Sequence, residues 1–245
     1  MSRKSLPEAC FEILTQQVRL DRIPGFDDLE QVTLLSGADG GGLKIYRGDK
    51  INRVVLVDFK LGEGEPVPHH ENRPSVGAEI FQIAPDFNYK LPVFGINSVI
   101  MKDGTYYFDT DFSFGFDLVR DYDFVTKYIE PMQELYAQFS LHPDFKIIPL
   151  AEMTTWVRTY ISPLFITAIT TVDKIQTVFD LASEYIHLWT KMHRDAAPVT
   201  GDIRELQQSR IQAQYAGMKS TDRMGKVLLN AFGKDTFSKF FKAMS

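Results

Sequence analysis

Three aspartates and one amide stand out by residue type and spacing. Asp109 and Asp111 alternate with Thr110 in TYYFDTDF (105–112), a run with strand composition, so both project from one face. That face is either the solvent side or part of a site. Asn97 sits inside VFGINSVIM (93–101), where a mid-strand amide between apolar neighbours needs a hydrogen-bonding partner. Asp222 follows Ser220 and Thr221, the place of a helix N-terminal acid favoured by the macrodipole. A carboxyl held in an apolar slot has a raised pKa and can serve as a general acid near neutral pH. An amide in such a slot cannot titrate, but it can orient a ligand by hydrogen bonding.

Other chemistries lack their residues. GADGGG (37–42) precedes an apolar strand rather than a helix, and no Gly-Lys-Ser/Thr follows, so it reads as a turn and not as a phosphate cradle. His69, His70, His142, His187 and His193 form no HExxH pattern, and the six-residue spacing of the last two puts them on different helix faces. No metal site is expected. Nor does a G-x-S-x-G motif or a Cys/His pairing support nucleophilic catalysis. The single cysteine, Cys10, makes an internal disulfide impossible.

The elements that must hold these side chains follow from the pattern. The chain is 44% hydrophobic and 13% aromatic, enough to bury a substantial core and too much for a disordered chain. A helix is expected over 7–20, with Phe11, Leu14 and Val18 at helical spacing. Five strands then read over 43–47, 52–59, 78–84, 93–101 and 105–112, and Lys102-Asp103-Gly104 marks a tight hairpin between the last two. LGEGEPVPHHENRPS (61–75) reads as an exposed loop. Short connections without helices imply an antiparallel meander. Helices follow over 124–139, kinked or begun at Pro131, then 170–194, 202–217 and 221–233, the last two each closed by glycine, and a final amphipathic helix ends the chain. The expectation is an α+β fold, a three-layer α/β/α sandwich with a central antiparallel sheet flanked by helices, in a single domain over 1–245.

Charge and hydropathy narrow the partners. The net charge is −5, which argues against a general nucleic-acid binder. From Lys191 to Ser245, however, ten Lys and Arg face five Asp and Glu, a basic tail suited to an acidic partner. The longest apolar candidate, ISPLFITAITTV (161–172), is too short and too Thr-rich to span a bilayer. The opening MSRKSLPEACFEIL lacks the apolar core of a secretory signal.

Two stretches carry a resemblance. PDFNYKLPVFGINSV (85–99) presents Tyr89, Pro92, Phe94 and Gly95, and STDRMGKVLLNAFGKDTFSKFF (220–241) sets Asp222 ten residues before Phe232-Gly233. Ser162-Pro163-Leu164-Phe165 precedes the long helix. In this order, over roughly residues 43 to 245, the chain resembles the ferredoxin-dependent bilin reductases and is similar to their phytochromobilin and phycoerythrobilin synthase branches. The strand aspartate of most members is Asn97 here, the histidine one branch places 17 residues upstream is Ile80, and the usual proline after the C-terminal aspartate is Arg223. These departures point away from the phycocyanobilin-forming branch. Asn97 looks like the phytochromobilin synthase branch, which reduces the A-ring diene.

The resemblance implies an oxidoreductase acting on CH–CH groups. It would reduce biliverdin IXα, or a dihydrobiliverdin, to a phytobilin by a radical mechanism. No tightly bound cofactor is implied; reduced ferredoxin, an acidic [2Fe-2S] protein, is the electron donor. Asp222 is the implied proton donor and Asn97 the orienting catalytic residue. Arg223, Phe165, Thr167, Asp111 and Phe94 are implied in binding the substrate, and Lys219, Lys226, Lys234 and Lys239 in docking ferredoxin on a basic C-terminal face. A monomer is expected, bound to neither nucleic acid nor membrane, in the cytoplasm or in the plastid stroma once a transit peptide is removed. Two alternatives are a non-catalytic bilin carrier and an enzyme like red chlorophyll catabolite reductase. A third is a structural domain whose basic tail binds an acidic protein.

Overall fold

The structure, a computed structural model, describes the backbone of residues 4–67, 70–153, 155–221 and 224–244, and their side chains except over 63–74 and 218–224. Eight strands form one antiparallel sheet: β1 (Leu20–Arg22), β2 (Gly41–Gly48), β3 (Ile51–Val67), β4 (His70–Pro85), β5 (Val93–Met101), β6 (Thr105–Ser113), β7 (Lys146–Ile147) and β8 (Ile166–Thr171). Their order is β1-β2-β3-β4-β5-β6-β8-β7, a meander until β8 inserts beside β6. The five strands read from the sequence are present. The 61–75 stretch is not a loop: β3 and β4 run on through it as a paired ribbon, with Glu65 opposite Ser75 and Val67 opposite His70. Backbone pairing needs no apolar side chains, so the polar composition there is misleading.

Alternation along the strands sends residues to two cores. On the first face Val54, Leu56, Phe81, Phe94, Ile96, Phe108 and Phe112 meet α1 (Leu6–Thr15) and α3 (Ile175–Asp195). Helix α3 presents Val178, Leu181, Tyr185, Trp189 and Met192, a stripe at i, i+3, i+7, i+11 and i+14, and each of these is buried. Its polar aromatic ends are satisfied: Trp189 Nε1 donates to the Pro92 carbonyl at 2.9 Å, and the Tyr185 hydroxyl donates to the Leu164 carbonyl at 2.6 Å. The sequence reading began this helix at 170. Residues 166–171 instead form β8, and the helix starts at Ile175 after one tight turn. Ahead of α2 (Gln133–Ser140) the chain makes successive short helical turns over 122–132, with Pro131 at their end.

On the second face Val55, Val57, Phe59 and Ala78 pack against Val227, Leu228, Phe232 and Phe240 of α5 (Met224–Met244). Gly233, at φ 79° and ψ 168°, breaks α5 into two helices at the position the sequence marks as a stop. The helix α4 (Gly201–Thr221) does not end at Gly217. A Cβ at Gly115 would stand 2.9 Å from the Gln207 backbone, so glycine permits that close approach. Sheet, first-face helices and second-face helices make the three layers expected of the α/β/α sandwich.

Candidate active-site cleft

The second core covers β2 to β4; beyond it, the same face of β5, β6 and β8 carries polar groups. Register brings them into rows. Ile80, Asn97, Asp109 and Thr167 lie opposite one another across β4, β5, β6 and β8, and Gln82, Gly95 and Asp111 form the next row. With strands roughly 5 Å apart, Asn97, Asp109, Asp111 and Thr167 share a patch about 10 Å wide. Among the described residues, no atom lies within 4 Å of where a Cβ of Gly95 would stand, so they leave the floor between Asn97 and Asp111 open.

Asn97, Asp109 and Asp111 on this floor each have a hydrogen-bonding partner. Asn97 Nδ2 donates to Asp109 Oδ1 at 2.8 Å. Asp111 accepts the backbone N–H of Ser162 at 3.0 Å on Oδ2 and the Ser162 hydroxyl on Oδ1. Ser162 Oγ in turn accepts the Leu164 N–H at 3.0 Å. The carboxyls keep partial solvent access but are surrounded by protein. Burial therefore pushes Asp109 up to about 6, against the hydrogen bond from Asn97. Asp111 is pushed up to about 7, again by burial, with Asp109 adding to it and Ser162 and the Phe112 backbone opposing. Tyr160, near both, is raised to about 12 by burial and by their charge. Two carboxyls whose proton affinities are raised toward neutral pH on one floor are equipped for acid chemistry.

The walls are partly visible. Tyr160 packs edge-on against Trp156 at 6.1 Å between ring centres, and a Cβ at Gly217 would collide with the Trp156 ring, so this segment lies against the C-terminal part of α4. Phe165 and Thr167 also line a cavity of about 100 Å³ at the sheet edge with Tyr136, Ile147 and Ile148. A second cavity of about 270 Å³ lies at the other end of the sheet, between Ser5, Glu30, Asp39 and Lys60, away from the acids.

Of the residues singled out in the sequence, Asn97, Asp111 and Thr167 come together here, and Phe165 borders the same strand end. Phe94 does not join them. Three positions from Asn97 on one strand, it faces the opposite way and is fully buried against Phe81, Phe112 and Tyr185. Asp222 and Arg223 lie outside the described residues. Of the docking lysines, the Lys219 side chain is also undescribed, Lys226 and Lys234 are exposed, and Lys239 is paired with Asp28. The sequence leaves Asp109 open as either solvent-side or part of a site, marks Gly95 and Ser162 only as motif positions, and does not single out Tyr160. The site reading of Asp109 was within reach of the sequence: counting back from the Lys102-Asp103-Gly104 turn sets Asn97 opposite Asp109.

An eight-stranded antiparallel sheet between two helical layers, with an acid-floored cleft on one face, defines a class of α/β/α sandwich. The family model described as ferredoxin-dependent bilin reductase matches residues 78–244, and the chain belongs to that family of oxidoreductases. Its fold is also that of selenomethionine phytochromobilin synthase from tomato, solved in complex with biliverdin: the TM-score is 0.76 at 14% identity, over 94% of this chain and 77% of that one. No curated protein matches it by sequence.

Proposed function

We propose that this chain reduces biliverdin IXα, or a dihydrobiliverdin, with electrons from reduced ferredoxin, and that its target is the A-ring diene. The observation that carries the reading is the open floor at Gly95, flanked by Asn97 and by the raised carboxyls Asp109 and Asp111. A linear tetrapyrrole is a flat, largely apolar body with polar pyrrole N–H and lactam edges, and a cleft between sheet and helices suits that shape. The tomato enzyme whose fold this chain shares was solved with biliverdin, which favours the same class of ligand.

In this reading the chain binds and orients the bilin and supplies protons, while electrons arrive singly from outside. Each electron raises the basicity of the conjugated system, and a positioned acid answers it. Asp222 serves as a donor, and Arg223 meets a propionate. Asn97 fixes the orientation of the cleft groups, while Thr167 and Phe165 border the substrate. Exposed Lys226 and Lys234 belong to the face that meets an acidic ferredoxin, whose charge speeds encounter more than it adds affinity. Anaerobic incubation with biliverdin IXα and reduced ferredoxin, followed by product chromatography, tests the reading. A product with a reduced A-ring supports it, reduction elsewhere overturns the A-ring assignment, and unchanged bound biliverdin favours a carrier.

A further inference from the structure

A two-electron reduction consumes two protons, so a donor must either regain its proton from solvent between steps or be joined by a second donor. The two floor carboxyls are not equivalent in this respect. Asp111 is occupied on both oxygens by Ser162, through a backbone N–H and a hydroxyl, and so anchors the turn before β8. Asp109 is held on one oxygen only. Asn97 Nδ2 donates to Oδ1, and among the described residues no group bonds Oδ2. Because the amide N–H occupies Oδ1, a proton on this carboxyl sits on Oδ2, the oxygen left free. Asp109 retains solvent access and stands beside the open space over Gly95.

We propose that Asp109 is a catalytic proton donor to the bilin, held by Asn97 and reloaded from solvent through its free oxygen. The inference deepens the proposed function and rests on it. One electron from reduced ferredoxin enters the conjugated bilin. The O–H bond at Asp109 Oδ2 then breaks, a C–H or N–H bond forms on the bilin, and the carboxylate left behind takes a proton from water. A second electron and proton complete the reduction of one double bond. The raised affinity of Asp109 for its proton, half-saturated at about 6, keeps the acid form available near neutral pH. Asn97 is a positioning residue: it fixes which oxygen carries the proton.

The test is anaerobic single turnover of the full chain with bound biliverdin IXα and reduced ferredoxin, comparing wild type, Asp109→Asn and Asp109→Glu. Both variants are expected to bind biliverdin with the wild-type visible spectrum. The Asn variant is expected to turn over about 100-fold more slowly or worse and to accumulate a one-electron-reduced bilin seen by electron paramagnetic resonance. It also loses the fall in rate that wild type shows as pH rises through about 6. The Glu variant, which keeps the acid, recovers turnover and that fall. Turnover of Asp109→Asn within about threefold of wild type with the same pH profile overturns the proposal, as does a Glu variant no better than the Asn variant. Wild type inert toward bilin overturns the function and the donor together, so the two failures are distinguishable.

Discussion

Ser162 fastens the turn before β8 to the cleft floor by giving Asp111 both its backbone N–H, at 3.0 Å, and its hydroxyl. The two residues are 51 positions apart, and this contact ties the Trp156–Tyr160 wall to the sheet. The same turn is held from the other face by the Tyr185 hydroxyl on the Leu164 carbonyl, so it is braced from both faces of the sheet.

Ser162→Ala removes the hydroxyl donor and leaves a carboxyl oxygen of Asp111 short of a partner. The expected loss is about 1–2 kcal/mol of stability, read as a lower urea midpoint at constant slope. An unmoved midpoint would mean that solvent satisfies Asp111 and that the brace is not structural.

Asp109 and Asp111 also set a pH dependence. Both hold their protons more tightly folded, at about 6 and about 7, than at the ordinary 3.8. The folded state therefore binds the extra protons across that window. The stability they contribute is present in full below the ordinary value and is lost as pH rises to the folded-state values. Replacing both by Asn removes this dependence. From about pH 4, wild type is expected to lose up to about 1.4 kcal/mol per carboxyl per pH unit relative to the double variant, Asp109 contributing until about pH 6 and Asp111 until about pH 7. Urea unfolding at a series of pH values checks it. Asp28, Asp39, Asp144 and Asp195, lowered chiefly by their lysine partners, are common to both proteins and cancel. Parallel curves would contradict the raised values.

Gly95→Val fills the space above the cleft floor. No described residue stands within 4 Å of the new Cβ, and valine suits a strand, so the fold is expected to tolerate it with a stability change under about 1 kcal/mol. Bilin binding, followed by absorbance titration, is expected to weaken at least tenfold, about 1.4 kcal/mol. Unchanged affinity would place the ligand elsewhere.

Much of this architecture was legible in the sequence because it rests on local rules. The meander followed from strand composition and short turns, the break in α5 from Gly233, and the shared face of Asp109 and Asp111 from the two-residue period. The sequence also held the orientation of Phe94, since an odd separation from Asn97 reverses the face. What escaped has physical reasons. ITAITT looks the same as a buried helix start because a short apolar run has no decisive period. Strands β1 and β7, of three and two residues, have none at all. Contacts such as Asp111 with Ser162 depend on how β8 docks beside β6, a pairing set by the whole sheet rather than by nearby residues.

The most direct measurement is the visible spectrum of biliverdin IXα bound to the full chain under argon, before and after stoichiometric addition of reduced ferredoxin. A blue-shifted product, with two ferredoxins oxidised for each double bond reduced, is the expected result. Bound biliverdin whose spectrum does not change, with ferredoxin left reduced, would contradict bilin reduction by this chain.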